Sequence, residues 1–460
     1  MKLFERKLYS ELIAWKRDSN GASAMLVEGA RRTGKTTLVK EFARREYDSF
    51  LYIDFSHVDK QVLDIFRDYR SDTQTLLRML QLFYGVELHE RKSLVVFDEV
   101  QRFPLAREEI KHLVGDGRYD YVETGSLISI RKNAENIVIP SEEESVLLNP
   151  LDFEEYLWAQ DRRMLADEIR RSRQDAVPLP NAIHQLASRL FNEYMLVGGM
   201  PKSVAAFLET GDFCKCDREK RLILHLYDED IQKFGGSCAD RARGIWRQIP
   251  GNLSSGSKRF KLGSVSKSAR YRNYQPAINW LEDSRTVNIC RRCADPNVGF
   301  KLTAEETVFK CYMADTGLLV SHAFSEGDAV REIYKALQFG TVSINKGMIV
   351  ENAIAQQLRA SGRSLFYYSW NEPPLERGQQ ASLHPREIDF LIVRGFSDAA
   401  GKLRLCPIEV KSSKSYRTVS LDDFKKRWPK RVGGEIVLHP KQLRVEGHRM
   451  YLPLYMAFCL

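Results

Sequence analysis

A glycine-rich stretch near the start of the chain has the residue types and spacing of a phosphate-binding loop. "GARRTGKTT", residues 29–37, fits the pattern G-x-x-x-x-G-K-[ST]. In such a loop, backbone N–H groups point at the phosphates, the lysine adds positive charge, and the hydroxyl group after it binds Mg²⁺. We therefore predict an ATP site whose phosphate-binding residues are Gly29, Arg31, Arg32, Thr33, Gly34, Lys35, Thr36 and Thr37. Thr36 is also a predicted ligand of Mg²⁺.

Acidic and hydroxyl side chains that complete such a site follow two later apolar runs. In "LVVFDEV", Asp98 comes directly after the apolar residues and is a predicted ligand of nucleotide-bound Mg²⁺. Glu99 is then the predicted catalytic base, orienting the attacking water. In "YDYVETGS", Thr124 or Ser126 could contact the γ-phosphate, and Ser126 is included among the predicted nucleotide-binding residues.

A second set of chemically competent residues lies near the C-terminal end. In "CPIEVKSS", Glu409 and Lys411 share one face of a predicted strand. Asp389 lies in "REIDFLIV", and Glu351 lies in the predicted helix "IVENAIAQQL". Carboxylates of this kind can hold Mg²⁺ beside a scissile phosphate, while a lysine activates water and stabilises developing charge.

The predicted catalytic residues of this second site are Asp389, Glu409 and Lys411. Its predicted metal ligands are Glu351, Asp389 and Glu409. An alternative interpretation is an ion pair on a surface strand, in a domain that binds a partner but does not cleave it.

The elements that must position these residues can be predicted from periodicity. Over the first 150 residues, apolar runs such as "SAMLVEGA", "FLYIDFS" and "SLVVFDEV" alternate with helical patterns such as "LLRMLQLFYG". This alternation predicts a parallel sheet covered by helices on both faces. Residues 159–182 read as a charged helix and connector, residues 183–320 as mainly helical and then hairpin-like, and residues 321–345 as a second connector. An amphipathic helix ("KGMIVENAIAQQLRAS") and three strands ("LFYYSW", "EIDFLIV" and "RLCPIEV") are predicted after that.

A stretch in the middle of the chain, Arg241–Arg272, contains nine Lys/Arg and no Asp/Glu, and we call it the basic segment. Helical patterns in "IWRQIPGNL" and "ARYRNYQPAINWL" precede two strand-like runs, "TVNICRRC" and "GFKLTAE", in the order of a winged helix. Its predicted phosphate contacts are Lys267, Arg270 and Arg272, and its predicted base contacts are Asn273 or Gln275. The alternative is a solvated basic face on a structural module.

Taken together, "GARRTGKTT", "FDEVQRFP", "ETGSLIS" and "LNPLDFEEYLWA" resemble the AAA+-type module of a set of prokaryotic ATP-binding proteins. The resemblance continues through "LVGGMPKSV", "FKCYMADTGLL" and "PREIDFLIV", and so touches nearly the whole chain. It implies an α/β multidomain protein. The expected domains are a P-loop NTPase domain at 1–158, a helical and winged-helix region at 159–320, and a domain resembling PD-(D/E)xK restriction endonucleases at 321–460.

One stretch departs from this pattern. Related modules often carry a Gly-Arg just before the counterpart of "NPLDFEE", which is a candidate for an arginine acting on a neighbouring subunit. Here residues 139–150 read "IPSEEESVLLNP", which is acidic instead. The resemblance is compatible with an oligomer, but this stretch offers no such arginine.

Composition limits the classes of partner and location. The net charge of +9 favours an acidic partner such as DNA. The sequence contains no run of about 18 apolar residues, so we predict no membrane span. The start "MKLFERKLYSEL" is charged and does not have the pattern of a signal sequence. The eight scattered cysteines do not suggest a disulfide framework, so a cytoplasmic protein is predicted.

The function predicted from these features is an ATP hydrolase that acts on or binds DNA, using ATP and Mg²⁺, with a Mg²⁺-dependent nuclease-like C-terminal domain. The alternative is a nucleotide switch that binds partners without cleaving them. The complete set of acidic residues and lysine favours the first function, and the missing Gly-Arg favours the second.

Overall fold

The computed structural model describes residues 3–125, 142–324, 330–339, 346–372, 384–395 and 403–460. The chain divides into two compact units. The first comprises Met1–Asn149, Lys233–Gly236 and Asn279–Arg285, and the second comprises Pro150–Gln232, Ser237–Ile278 and Thr286–Leu460. The division into three domains at 1–158, 159–320 and 321–460 stays a prediction.

The first unit contains a five-stranded parallel sheet, which confirms the sheet predicted from the alternating pattern. The strand order is β2-β3-β4-β1-β5, and every neighbouring pair is parallel. The strands are β1 (Ala24–Glu28), β2 (Ser49–Asp54), β3 (Ser93–Asp98), β4 (Asp120–Gly125) and β5 (Glu143–Leu147). Strands β1, β3 and β4 are buried along their whole length. Burial on both faces accounts for the apolar runs of β1 and β3, whereas β4 also buries polar residues such as Asp120, Glu123 and Thr124.

Helices cover both faces of this sheet because alternate residues of a strand point to opposite sides. The helices are α1 (Lys7–Ser19), α2 (Lys35–Glu46), α3 (Lys60–Asp68), α4 (Thr73–Tyr84) and α5 (Pro104–Asp116). Leu94 and Val96 of β3 pack in the hydrophobic cluster that includes α1 and α2, whereas Val95 and Phe97 pack in the cluster that includes α3, α4 and α5. Because all the strands are parallel, the loop at residues 29–37 and Asp98 lie at the same edge of the sheet.

The second unit contains two further sheets. One has the order β10-β11-β12-β14-β13 and the other has the order β7-β6-β8-β9. The strands are β6 (Val287–Cys293), β7 (Ala304–Met313), β8 (Phe366–Glu372), β9 (His384–Ile388), β10 (Phe390–Gly395), β11 (Leu403–Val410), β12 (Glu435–His439), β13 (Arg444–Glu446) and β14 (Arg449–Pro453). Strand β11 is antiparallel to β10 and parallel to β12.

The run "EIDFLIV", predicted as a single strand, is divided at Asp389 into β9 and β10. Strand β9 pairs with β8 in the four-stranded sheet, while β10 pairs with β11 in the five-stranded one. The side chain of Asp389 accepts a hydrogen bond from the N–H of Val410 at 2.7 Å. The Asp389 carboxylate is therefore hydrogen-bonded to the backbone of β11 at the point where the chain passes from one sheet to the other.

The remaining helices lie wholly or largely in the second unit, although residues 233–234 and 279–283 at the ends of two of them belong to the first. They are α6 (Phe153–Ala159), α7 (Arg163–Asp175), α8 (Asn181–Val197), α9 (Pro201–Thr210), α10 (Phe213–Phe234), α11 (Ala239–Ser254), α12 (Tyr271–Asp283), α13 (Thr316–Ala323), α14 (Val330–Phe339), α15 (Lys346–Ala360) and α16 (Val419–Arg427). Helix α15 was predicted as amphipathic, but every residue from Met348 to Leu358 is buried. Its polar side chains are satisfied internally; for example, Asn352 Oδ1 accepts from the N–H of Met313 at 2.9 Å.

The elements predicted for a winged helix occur in the predicted order, with one displacement. Helices α11 and α12 contain the two helical patterns, and β6 and β7 form an antiparallel hairpin. The run "GFKLTAE", predicted as the second strand, is mainly a 3₁₀ turn at Phe300–Leu302, and β7 begins only at Ala304. Strand β6 also pairs in parallel with β8. The hairpin is thus an integral part of the four-stranded sheet.

Candidate nucleotide-binding site and carboxylate cluster

The loop at residues 29–37 has the backbone shape of an anion cradle. Gly34 and Arg32 have left-handed φ values of 100° and 71°, and Gly29 has a φ of 156°. Backbone turns of this kind direct successive N–H groups into one concavity. A Cβ atom on Gly29 would lie 2.5 Å from the carbonyl oxygen of Leu148, so only glycine fits there.

Helix α2 begins directly behind this loop, at Lys35. The first N–H groups of a helix have no partner in its own ladder, and they carry partial positive charge. The first helical bond here runs from the N–H of Leu38 to the carbonyl oxygen of Gly34, at 2.9 Å. The N–H groups of Lys35, Thr36 and Thr37 precede this bond and can therefore face an anion.

The ammonium group of Lys35 lies inside the loop. It donates to the carbonyl oxygens of Gly29 and Ala30, at 3.0 and 3.1 Å. Burial lowers the pKa of Lys35, and the carboxylates of Glu99 and Asp98 oppose this effect. An entering phosphate would exchange two neutral acceptors for a charged one, which makes a stronger hydrogen bond.

Three hydroxyl groups converge on Asp98, at the carboxyl end of β3. Thr36 Oγ1 donates to Asp98 Oδ2 at 2.8 Å, and the hydroxyl groups of Tyr52 and Thr124 also donate to this carboxylate. Burial and hydrogen bonding to Asp98 raise the pKa of Tyr52, so its hydroxyl group remains a donor. The adjacent hydroxyl and carboxylate oxygens of Thr36 and Asp98 fit the hard oxygen ligands that Mg²⁺ requires.

Glu99 adopts a left-handed backbone conformation, with φ of 55°. This conformation is uncommon outside glycine and often marks a functional position. The N–H of Glu99 donates to Thr124 Oγ1 at 3.1 Å, and its Oε2 accepts from Gln101 Nε2 at 2.7 Å. Thr124 therefore contacts both acidic residues. Ser126, the other predicted γ-phosphate contact, lies outside the described residues.

The remaining predicted loop residues differ in what they offer a nucleotide. Arg31, Arg32 and Thr37 are exposed, whereas Thr33 is fully buried. Its Oγ1 donates to the carbonyl oxygen of Ala30 at 2.9 Å, so this hydroxyl group shapes the loop.

Arg6, which sequence reasoning missed, holds the loop from behind. Its Nη1 donates to the carbonyl oxygen of Thr33 at 3.0 Å, and its Nη2 donates to that of Asn149 at 2.6 Å. Nothing in the local sequence distinguishes Arg6 from the other charges near the start of the chain.

In the second unit, Glu351 is surrounded by cations. It is 1% exposed, and its Oε1 accepts from Lys310 Nζ at 2.9 Å. The ammonium group of Lys258 and the hydroxyl group of Tyr312 also donate to it. Burial alone would raise the pKa of Glu351, but the two lysines lower it to about 2.

Lys310 itself is the centre of a carboxylate cluster. Its Nζ lies 2.7 Å from Glu387 Oε1 and 3.8 Å from Asp389 Oδ1, in addition to its bond with Glu351. Burial opposes the charge, but the surrounding carboxylates raise the pKa of Lys310 well above its usual value. We call Lys258, Lys310, Glu351, Glu387 and Asp389 the lysine–carboxylate cluster.

The other two predicted residues lie beside this cluster. Lys411 Nζ bonds Glu409 Oε1 at 2.8 Å, which confirms that they share one face. Asp389 directly precedes Phe390, which pairs with Ile408, so Asp389 and Glu409 lie close together across β10 and β11. Within the described part of the chain, Glu409 Oε2 is buried without a hydrogen-bond partner. Burial raises the pKa of Glu409 to about 7.

These side chains do not form a multi-ligand metal site as placed. Across the described ranges, no group of three or more His, Cys, Asp or Glu residues could hold a metal ion. Glu351 has its oxygens engaged by Lys258, Lys310 and Tyr312. The carboxylates around Lys310 thus fit an ammonium group rather than a divalent ion, and the Mg²⁺ assignment of Glu351, Asp389 and Glu409 stays a prediction.

The sequence indicated Glu351, Asp389 and Glu409 but not Glu387 or the residues that bond to Glu351. Lys258, Lys310, Tyr312 and Glu387 stand in no recognisable motif with Glu351. Glu387 offered one signal, since it lies two residues before Asp389 in the strand-like "REIDFLIV".

The predicted nucleic-acid contacts in and just after the basic segment are all accessible. Lys267, Arg270, Arg272, Asn273 and Gln275 are exposed, and they lie within helix α12 or just before it. Among the described residues, no helix is long and apolar enough to cross a membrane. All eight cysteines are free thiols.

Three family models match separate parts of the chain. The AAA domain model matches residues 22–157. Two models, each described as a domain of unknown function (DUF8612 and DUF4143), match residues 188–328 and 346–456. No curated protein sequence matches the chain.

Several solved structures are similar to the chain at low identity. A Walker-type ATPase of Pyrococcus abyssi is 14% identical, with a TM-score of 0.43, over 70% of this chain and 96% of the other. The Aeropyrum pernix ORC1 protein, solved in complex with DNA, is 14% identical, with a TM-score of 0.28, over 72% and 95%. Cdc6p from Pyrobaculum aerophilum is 12% identical, with a TM-score of 0.24, over 73% and 92%.

The assignment of the first unit rests on the family model and the loop geometry, not on these structures. The AAA model covers the loop at residues 29–37, Asp98 and Glu99, and these residues meet at one edge of a parallel sheet. Residues 22–157 are therefore an AAA-type domain of the P-loop ATPase class.

Proposed function

We propose that the protein binds ATP with Mg²⁺ at the loop formed by residues 29–37 and hydrolyses it. The observation that carries this proposal is the meeting of Thr36 and Asp98, at 2.8 Å, next to the first N–H groups of helix α2. Thr36 and Asp98 would hold the Mg²⁺, which bridges phosphate oxygens and neutralises their charge. Lys35 and the backbone N–H groups of the loop bind the β- and γ-phosphates, and the exposed Arg31 and Arg32 can reach the outer phosphate oxygens.

Glu99 supplies the catalytic base in this proposal. Its backbone is left-handed, with φ of 55°, and its carboxylate accepts a hydrogen bond from Gln101 Nε2 at 2.7 Å. Thr124, bonded to both Asp98 and the N–H of Glu99, would contact the γ-phosphate. In this arrangement Glu99 orients water and accepts its proton.

The substitution Glu99→Gln tests this proposal. We expect ATP binding to be retained and turnover to fall about 10²- to 10⁴-fold, since the amide keeps the shape of the side chain but cannot accept a proton. Phosphate release and nucleotide affinity would be measured on the same full-length preparation. Glu90→Gln, at an exposed glutamate of the same unit, should leave both unchanged. Unaltered turnover in Glu99→Gln would remove Glu99 from the mechanism.

The middle region is proposed to bind nucleic acid through a winged-helix-like module. The support is the order of α11, α12 and the β6–β7 hairpin, together with the exposed cations Lys267, Arg270 and Arg272. The cations would contact phosphates, and Asn273 or Gln275 would reach base edges. DNA is the partner that the positive net charge favours.

For the C-terminal region, a non-cleaving role is supported best. The proximity of Asp389, Glu409 and Lys411 favours a nuclease-like site, and Mg²⁺-dependent cleavage is the second candidate function. However, the engagement of Glu351 by two lysines leaves the predicted metal ligands incomplete. We therefore propose a nucleotide-switched, DNA-binding ATPase whose C-terminal region, resembling the PD-(D/E)xK fold, binds without cleaving.

A further inference from the structure

The lysine–carboxylate cluster places an ammonium group where three carboxylates converge. Lys310 Nζ lies 2.9 Å from Glu351 Oε1, 2.7 Å from Glu387 Oε1 and 3.8 Å from Asp389 Oδ1. The side chain of Lys310 is fully buried. A buried charge of this kind persists only if its surroundings neutralise it, and here the carboxylates do so.

Two parts of the chain supply the two signs of charge. Lys310 lies on β7 and Lys258 lies in the basic segment, whereas Glu351, Glu387 and Asp389 come from α15 and β9 and the residue that follows β9. The backbone of Lys258 itself is left-handed, with φ of 48°, and its side chain bonds to Glu351. Since lysine rarely adopts this conformation, the surrounding contacts must hold it there.

We propose that Lys310 is a built-in counter-ion, which occupies the position that a divalent cation would otherwise take among Glu351, Glu387 and Asp389. With Lys310 present, the cluster binds no divalent metal. Without it, one buried carboxylate (Glu351) and two partly exposed ones (Glu387 and Asp389) are left close together with no counter-charge among them, and carboxylate oxygens are the donors that Mg²⁺ and Mn²⁺ prefer. This inference builds on the proposed non-cleaving role of the C-terminal region.

Geometry explains why the two cations exclude each other. Mg²⁺ and Ca²⁺ bind carboxylate oxygens at about 2.0–2.6 Å, and the ammonium group already lies 2.7 and 2.9 Å from two of the oxygens. A divalent ion sharing these oxygens would stand within about 4 Å of the ammonium group, where like charges repel strongly at low dielectric. Lys258, which donates to the other oxygen of Glu351, adds to this repulsion.

The test is a Mn²⁺ titration of the nucleotide-free, full-length protein, followed by electron paramagnetic resonance. Any saturable Mn²⁺ binding in wild type should remain unchanged when Asp389→Asn is introduced, because the cluster itself binds no Mn²⁺ in wild type. Lys310→Ala should gain one site, about tenfold or more tighter than any weak binding in wild type, and the added change Asp389→Asn should abolish it. Lys258→Ala, which leaves Lys310 in place, should gain no such site.

Two results would overturn the proposal. One is a saturable Mn²⁺ site in wild type that Asp389→Asn removes, and the other is a folded Lys310→Ala variant that binds no Mn²⁺. If Lys310→Ala does not fold by circular dichroism, the wild-type titration decides alone. Incubating the wild-type sample with DNA distinguishes failure of the two proposals. DNA cleavage that disappears in Asp389→Asn would refute the non-cleaving role of the C-terminal region. Mn²⁺ binding at the cluster without DNA cleavage would refute only the proposal that Lys310 is a built-in counter-ion.

Discussion

At the scale of single residues, the environment of a side chain decides the role that its chemistry suggests. Asp98 and Glu351 are both buried acids. Asp98 accepts hydrogen bonds from hydroxyl groups, which can bind a metal ion together with it. Glu351 instead accepts hydrogen bonds from ammonium groups, which take the place of a metal ion. Both acidic residues were predicted from the sequence, but of their partners only Thr36 and Thr124, beside Asp98, were also predicted.

We predict that Glu409 makes the stability of the protein depend on pH. Burial raises its pKa from the usual value of 4.5 to about 7, with Lys411 opposing the shift. A raised carboxyl pKa means that folding favours the protonated form of Glu409. The contribution of Glu409 to the free energy of unfolding is therefore fully present below pH 4.5 and is lost as the pH rises through 7. We expect Glu409→Gln to remove this loss, which is at most about 3 kcal/mol.

The measurement is urea unfolding of wild type and Glu409→Gln between pH 5 and 8. The gap between the two free energies of unfolding should widen in favour of the variant as the pH rises. Glu446→Gln, at an exposed glutamate of the same unit, is the control. A gap that stays constant with pH would show that Glu409 does not titrate in this range.

At the scale of elements, local patterns predicted what contiguous residues determine. The strands and helices of the first unit follow from short apolar runs and helical periodicity, and the P-loop needs only nine neighbouring residues, 29–37. Helix α15 was harder, because buried polar residues such as Asn352 and Gln356 look like a solvent-facing stripe in the sequence. Their partners, Met313 and Thr316, lie on other elements.

A prediction about DNA binding belongs to helix α12 and the residues just before it. Replacing Lys267, Arg270 and Arg272 together by alanine should weaken binding to duplex DNA of any sequence. It should also reduce the slope of log affinity against log salt by about one for each phosphate that the variant no longer neutralises. Fluorescence anisotropy at several salt concentrations measures both quantities.

A matched triple variant, with Arg17, Lys60 and Lys92 of the first unit changed to alanine, removes the same net charge from exposed positions. Its salt slope should equal that of wild type. If both variants weaken binding equally, the effect comes from net charge alone and the assignment of the basic segment to phosphate binding fails.

At the scale of the whole molecule, interactions between residues distant in sequence escaped prediction. Lys258 and Lys310 are separated from Glu351 by 93 and 41 residues, and no spacing rule connects them. The P-loop site depends on fewer long-range interactions, and its main residues meet as parallel strands require. This difference explains why the sequence indicated that Thr36, Asp98 and Thr124 would meet near the P-loop, but indicated only Glu351 and Asp389 of the lysine–carboxylate cluster.

Triphosphate binding at the loop of residues 29–37 is the claim on which the proposed function depends most. Calorimetric titration of the nucleotide-free, full-length protein with Mg²⁺–ATP measures this directly. We predict one saturable site per chain and about 100-fold weaker binding in Lys35→Ala, because alanine cannot donate a charge-assisted hydrogen bond to the phosphates. Lys92→Ala, at an exposed lysine of the same unit, should bind as wild type does. Equal ATP affinity in Lys35→Ala and wild type would contradict this claim.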